Sequence, residues 1–240
     1  MNLYELLLNS LPMEPIPVRK VVVGVHWTLV CSANCGLSST LTNCGPHGHA
    51  KMRDVGKLEE KTVQQLAEWI LSDNFLEASV GMAAINSLIP VDEKKLVQKN
   101  ASEVIAQEST GKNVTIVGHF PFVEQIKSIP KHCWVIEKKP FGDDFPEDAA
   151  EDFIPQSDIV AITRTAFINH SMEKLLSLCK KDATVMILGP STPMLPELFD
   201  LGISFLSGAR VDDPVAAINT IVQGASLPQV NGIRLVTLVK

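Results

Sequence analysis

Apolar positions fall into two rhythms along this chain, and the change between them predicts its organisation. In the first hundred residues the pattern is mixed. A helical repeat over Leu3 to Ser10 is ended by "PMEPIP", whose prolines cannot continue a helix. The stretch "VRKVVVGVHWTLVCS" then alternates Val23, Val25, Trp27, Leu29 and Cys31 against smaller or polar residues. That period of two predicts a strand, with "CGLSSTL" as its hairpin partner after an Ala33-Asn34 turn. The pairs Thr62/Gln65, Asn74/Glu77 and Asn100/Glu103 have capping-box spacing and predict three helix starts. Ala78, Ser79, Gly81, Ala83 and Ala84 crowd the second of these helices, so a neighbouring element must approach it closely.

From Lys112 onward, short continuous apolar runs alternate with helical stretches: "VTIVG", "CWVIE", "DIVAIT", "TVMILG", "ISFLS" and "RLVTLV". Continuous β-branched runs belong to strands covered on both faces, which predicts a mostly parallel sheet with helices on either side. The polar turn "TGKN" separates the two rhythms. The expected organisation is α/β: a small α+β unit over residues 1–110, then a Rossmann-like, doubly wound unit over 111–240.

Composition narrows the partners. The 240 residues carry 21 basic and 27 acidic side chains, a net charge of −6, with no basic run. Nucleic acid is not an expected partner. The N-terminal apolar stretch "MNLYELLLNSLP" is short and contains Glu5, so neither a signal peptide nor a membrane span is expected. A cytoplasmic protein is expected, with its five cysteines held as thiols.

Cys31, Cys35, Cys44, His47 and His49 raise the question of a metal site, since thiolates and imidazoles suit zinc and other thiophilic ions. Their spacing, C-x3-C-x8-C-x2-H-x-H, matches no finger or ribbon pattern. A two-residue turn at Ala33-Asn34 would pair Ser32 with Cys35 and turn Cys31 to the opposite face. The favoured reading has both cysteines as small hydrophobes of the hairpin. A metal-binding or metal-delivery protein built on the five residues is the alternative.

In a doubly wound sheet, ligands lie beyond the carboxyl ends of the strands where the strand order reverses. With "TVMILG" crossing over to lie beside "VTIVG", the loops "GHFPF" and "GPSTP" would flank one crevice. Gly118 lets a ligand approach the backbone, His119 offers an imidazole for acid-base work, and Phe120 and Phe122 offer aromatic faces. Glu137 ends the next strand, where many such folds bind a ribose, and is the second acid-base candidate. Thr163, Thr165 and Asn169 offer hydrogen bonds, and Ser191 or Thr192 is expected to cap a helix whose free N–H groups face the crevice. "GHFPFVEQ" lacks the glycines of a dinucleotide fingerprint, which argues against NAD or FAD. The acidic stretch "FGDDFPEDAAED" lacks the spacing of a calcium loop and is expected to be a solvated loop.

"CGLSSTL", "SVGMAAINSL", "VGHFPF", "AEDFIPQSDIVAITRTAFINHS" and "MILGPSTPMLPELFDLGISFLSGARV" together resemble a family catalogued as a domain of unknown function and associated with heavy-metal chelation. The resemblance covers nearly the whole chain. It implies an enolase N-terminal-like domain followed by a Rossmann-like domain, with a composite site between them. It also implies condensation or hydrolysis of pterin-like, flavin-like or metallophore-precursor molecules. Carried onto this chain, the implied ligand-binding residues are Gly118, Glu137, Thr163, Thr165, Asn169, Gly189, Pro190, Ser191 and Thr192, with Asn86 from the first domain. A small-molecule ligand, with a metal ion or metal chelate, is the implied partner, and no cofactor is identified. A methyltransferase-like protein using S-adenosylmethionine is a further alternative.

Overall fold

The fold is that of a computed structural model, which describes residues 2–43, 51–98 and 100–240. The chain opens with helix α1 (Leu3–Asn9), started by a capping box between Asn2 and Glu5. Three short strands follow: β1 (Lys20–Val23), β2 (Trp27–Cys31) and β3 (Cys35–Ser39). They form an antiparallel meander in the order β1-β2-β3. The single strand expected over Val23 to Cys31 is therefore two, folded back at Gly24, whose N–H donates to Trp27 O at 2.8 Å. The period of two holds through Trp27, Leu29 and Cys31, which share one face with Ala217 and Ile221. Val23 and Val25 fall at the strand end and in the turn, and are exposed.

The second correction lies at the next turn. Cys31 pairs directly with Cys35, so the connection is Ser32-Ala33-Asn34, one residue longer than expected. That extra residue brings both side chains to the same face, with Cα atoms 4.0 Å apart, and a disulfide joins them. The expectation of two free thiols is overturned. Sulfurs bonded to each other are not thiolate ligands, so Cys31 and Cys35 leave the proposed ligand set. Cys44, His47 and His49 lie outside the described residues.

Helix α2 (Val63–Ala67) has the expected Thr62/Gln65 capping box, and α3 (Phe75–Leu88) runs against the meander. At α3 the expected box is incomplete. Asn74 accepts from Leu76 N, but Glu77 turns instead to Ser72 Oγ and Arg53 N. The small residues of α3 serve close packing on two sides. A Cβ at Gly36 of β3 would overlap the backbone of Ala83 and Ser87, and a Cβ at Gly81 would overlap the backbone of Trp69 and Ile70.

The large sheet has eight strands: β4 (Leu96–Val97), β5 (Asn113–Val117), β6 (His132–Glu137), β7 (Phe145–Pro146), β8 (Ile159–Thr163), β9 (Thr184–Leu188), β10 (Ile203–Val211) and β11 (Ile233–Val239). Their order is β4-β11-β10-β9-β8-β5-β6-β7. The neighbours from β10 through β7 are parallel, and β11 is antiparallel to both β10 and β4. The chain thus enters this sheet at Leu96, ahead of the turn near residue 110. Connecting helices are α4 (Ala101–Glu108), α5 (Val123–Ile126), α6 (Ala150–Phe153), α7 (Thr165–Ile168), α8 (Met172–Leu178) and α9 (Pro214–Ile221).

One expected neighbour is wrong. The strand lying beside β5 is β8, "DIVAIT", and "TVMILG" (β9) lies beyond it. The order reversal is still at β5, with β6 on one side and β8 on the other, so the crevice keeps its place. One apolar core joins α1, α2 and α3 to one face of the large sheet through Leu7, Leu66, Ile85, Ile162, Phe167 and Leu206. Tyr4 Oη crosses the same boundary and donates to Phe167 O at 2.9 Å. A second core, including Ile105, Ile116 and Val123, covers the opposite face. Among the described residues no helix is long and apolar enough to cross a membrane.

Candidate functional site

Four parallel strands end at one edge, and their last residues open onto a cavity of about 1160 Å³. Its wall includes Gly118 after β5, Glu137 at the end of β6, Thr163 and Arg164 after β8, and Gly189 after β9. The meander side contributes Trp27, Leu41 and Phe75. The wall is therefore drawn from both sheets.

The glycines are there for close approach. Gly118 has φ 99°, and a Cβ on it would stand 2.9 Å from Thr163 Cβ. Gly189 has φ 118°, and a Cβ on it would overlap the Arg164 side chain. Both positions are left-handed backbone that favours glycine.

Glu137 is held by main chain. Its Oε1 accepts from His119 N at 2.7 Å and its Oε2 from Lys138 N at 3.0 Å, which ties β6 to the loop after β5. His119 Nδ1 lies 3.0 Å from both carboxylate oxygens of Asp144. The Asp144 side chain is only 6% exposed, against 38% for His119, so the carboxylate is the fixed member and orients the ring. With Nδ1 engaged, Nε2 is the nitrogen left for a ligand. This pair corrects the reading of "FGDDFPEDAAED" as a purely solvated loop. The signal was absent from the sequence because Asp144 reaches His119 across 25 positions.

Thr163 Oγ1 and Thr165 Oγ1 are 3.0 Å apart, and Asn169 Oδ1 accepts from Ser171 N and Oγ. Phe120 and Phe122 stack on each other with centroids 5.2 Å apart. All six of these residues, with His119 and Pro190, line the cavity.

Asn86, Ser191 and Thr192 are not on that wall. Asn86 Nδ2 donates to Leu37 O and Ser191 O, both at 2.9 Å, so it fastens α3 to β3 and to the loop after β9. Ser191 is fully buried and accepts from Ser39 N at 2.6 Å. Thr192 donates to Gly189 O at 2.7 Å. Neither hydroxyl caps an α-helix, because the segment that follows is a 3-10 turn starting at Pro196.

Arg164 is the residue that sequence reasoning passed over. Its Nη2 donates to Ser39 Oγ at 3.0 Å, and its guanidinium lies 5.8 Å from the centre of the Trp27 ring. Its Nε is buried without an acceptor, as is Trp27 Nε1. Burial pushes the pKa of the guanidinium down to about 10. Its only sequence signal was its place directly after a strand end, between the two threonines that drew attention.

Comparison with known proteins identifies the chain's relatives. Two family profiles, each described as "Putative heavy-metal chelation", match it: DUF4213 over residues 4–89 and DUF364 over residues 100–240. The uncharacterized protein MJ0500 of Methanocaldococcus jannaschii is 27% identical over 173 residues, which are 69% of this chain and 66% of that relative. A DUF364-family protein of unknown function from Desulfitobacterium hafniense has a similar structure, with TM-score 0.87 and 27% identity over 99% of this chain and 97% of that one. A second, from Pyrococcus horikoshii, shares the fold at TM-score 0.84 and 18% identity, over 99% and 98% of the two chains. With the DUF364 profile spanning more than half of its length, this chain belongs to the DUF364 heavy-metal-chelation family.

Proposed function

We propose that the cavity binds and processes a small heteroaromatic or chelator-like molecule, at the junction of the units expected over residues 1–110 and 111–240. The observation that carries this reading is the cavity itself. It is about 1160 Å³, larger than a single pterin needs, and it lies at the carboxyl edge where the strand order reverses. Its lining mixes apolar and aromatic side chains with polar and charged ones, as an organic-ligand site does. His119, oriented by Asp144, is the group placed for proton transfer. Glu137, with both oxygens accepting main-chain N–H groups, positions His119. In this reading the link to heavy metals runs through the ligand, which carries the chelating atoms.

Calorimetric titration with pterin, flavin and S-adenosyl compounds tests the proposal. At least one class should bind with 1:1 stoichiometry, and His119→Asn should leave that binding within a few-fold while abolishing turnover. Elemental analysis of untagged protein is the second arm. Stoichiometric zinc, copper or nickel that persists in a Cys44→Ser/His47→Ala/His49→Ala variant would remove the alternative that those residues hold metal. Metal lost with them would move the function to that segment.

A further inference from the structure

The cavity contains a cation with no counter-ion. No carboxylate among the described residues pairs with Arg164, and the remaining positions, 1, 44–50 and 99, carry no Asp or Glu at all. The acids on the same wall are elsewhere. Glu137 is bound to backbone at the end of β6, two strands away from β8 and so roughly 10 Å across the sheet, Glu147 pairs with Lys138, and Glu103 stands in the first turn of α4. Withdrawing a cation from water without a partner is costly, and a neutralising group is the usual reason a fold keeps one.

The unpaired side of the guanidinium is defined. Nη2 is used by Ser39, whereas Nε has no acceptor and Nη1 makes no hydrogen bond. A side chain at residue 189 would cover that edge, since a Cβ there would stand 2.7 Å from both Nε and Nη1. Gly189 therefore keeps side-chain atoms off that edge, at which Nε is buried against backbone. Next to it, Trp27 carries a second buried donor without an acceptor. Two neighbouring side chains on one cavity wall thus both lack the same thing, a hydrogen-bond acceptor.

We propose that Arg164 is the ligand-recognition residue of this cavity and takes a carboxylate, held on its unpaired edge beside the Trp27 indole. This rests on the small-molecule reading above and names the ligand's chemical class. A carboxylate fits better than a phosphate for two reasons. The guanidinium fork is planar, as a carboxylate is. The helix that follows, α7, has four residues and offers no extended N-terminus for a dianion.

The test compares matched probes by calorimetry: pterin-6-carboxylate against pterin, and pyridine-2-carboxylate against pyridine-2-carboxamide, with inorganic phosphate as the third anion. The wild type should favour the acid of each pair by at least about tenfold, the scale of one charge-assisted hydrogen bond. Arg164→Met should erase that preference, keep the affinity for the neutral member, and melt no lower than wild type, because it removes an unpaired buried charge. Arg164→Lys should recover part of the preference. Equal affinities within a pair in the wild type would overturn the proposal and leave the small-molecule reading standing. So would a preference that survives Arg164→Met. Phosphate binding more tightly than either acid would overturn the carboxylate assignment. Failure of every organic probe to bind would sink the small-molecule reading and this proposal with it.

Discussion

Glu137→Gln tests whether the carboxylate at the end of β6 is a structural clamp. In the wild type its two oxygens accept from His119 N at 2.7 Å and Lys138 N at 3.0 Å. A glutamine keeps one acceptor oxygen but turns an NH₂ group towards the other backbone donor. One charge-assisted bond is lost and one N–H loses its partner. Protected from water, such a bond is worth about 1.5–3 kcal/mol. The site is open enough for water to replace part of that, so a loss of about 1–1.5 kcal/mol is expected. Glu137→Ala removes both acceptors and should cost about twice as much. Urea unfolding of the three proteins gives the stability differences, and amide exchange should show protection falling at His119 and Lys138 first. The reasoning fails if both variants unfold within about 0.5 kcal/mol of wild type, the scatter of ordinary surface substitutions.

Other outcomes follow from the same structure. Gly36→Ala should lower stability by about 3 kcal/mol, because the new Cβ meets the backbone of α3 rather than a movable side chain, and thermal unfolding measures it. Replacing Cys31 and Cys35 together by serine should cost about 2 kcal/mol, the loop-closure contribution of so short a loop; a loss beyond about 4 kcal/mol in denaturant titration would mean the bridge does more than restrain the unfolded chain. Burial pushes the Cys133 and Cys179 thiols up to about 11 from 9.0, so alkylation of the native protein at pH 8 should be roughly 100-fold slower at both than after unfolding, as mass-spectrometric mapping would show. Because the folded state holds these protons longer than the unfolded chain, the two thiols should make stability fall as pH rises from about 9 towards 11; a Cys133→Ala/Cys179→Ala variant should lose that part of the slope.

The sequence by itself determined what depends on neighbours in the chain. Continuous apolar runs found β5, β6, β8, β9, β10 and β11, since burial on both faces leaves no polar alternation to hide them. Gly118, His119, Glu137, Thr163 and Gly189 reach the cavity because all follow or end parallel strands, and parallel strands end at one edge. Tertiary structure decided what depends on distance across the fold. One residue of loop length put Cys31 opposite Cys35 and allowed the disulfide, and periodicity cannot count loop residues. Which strand lies beside β5 is a matter of how crossovers pack, so β8 took the place expected of β9. Asp144 and Arg164 gained their significance from partners far away in sequence, His119 in one case and Ser39 and Trp27 in the other. Ser191 and Asn86 lost theirs for the same reason, since contacts between the two sheets consumed their hydrogen bonds. A local pattern places a residue at an edge of the sheet; whether its polar atoms are then free for a ligand is settled only by what the rest of the chain brings against them.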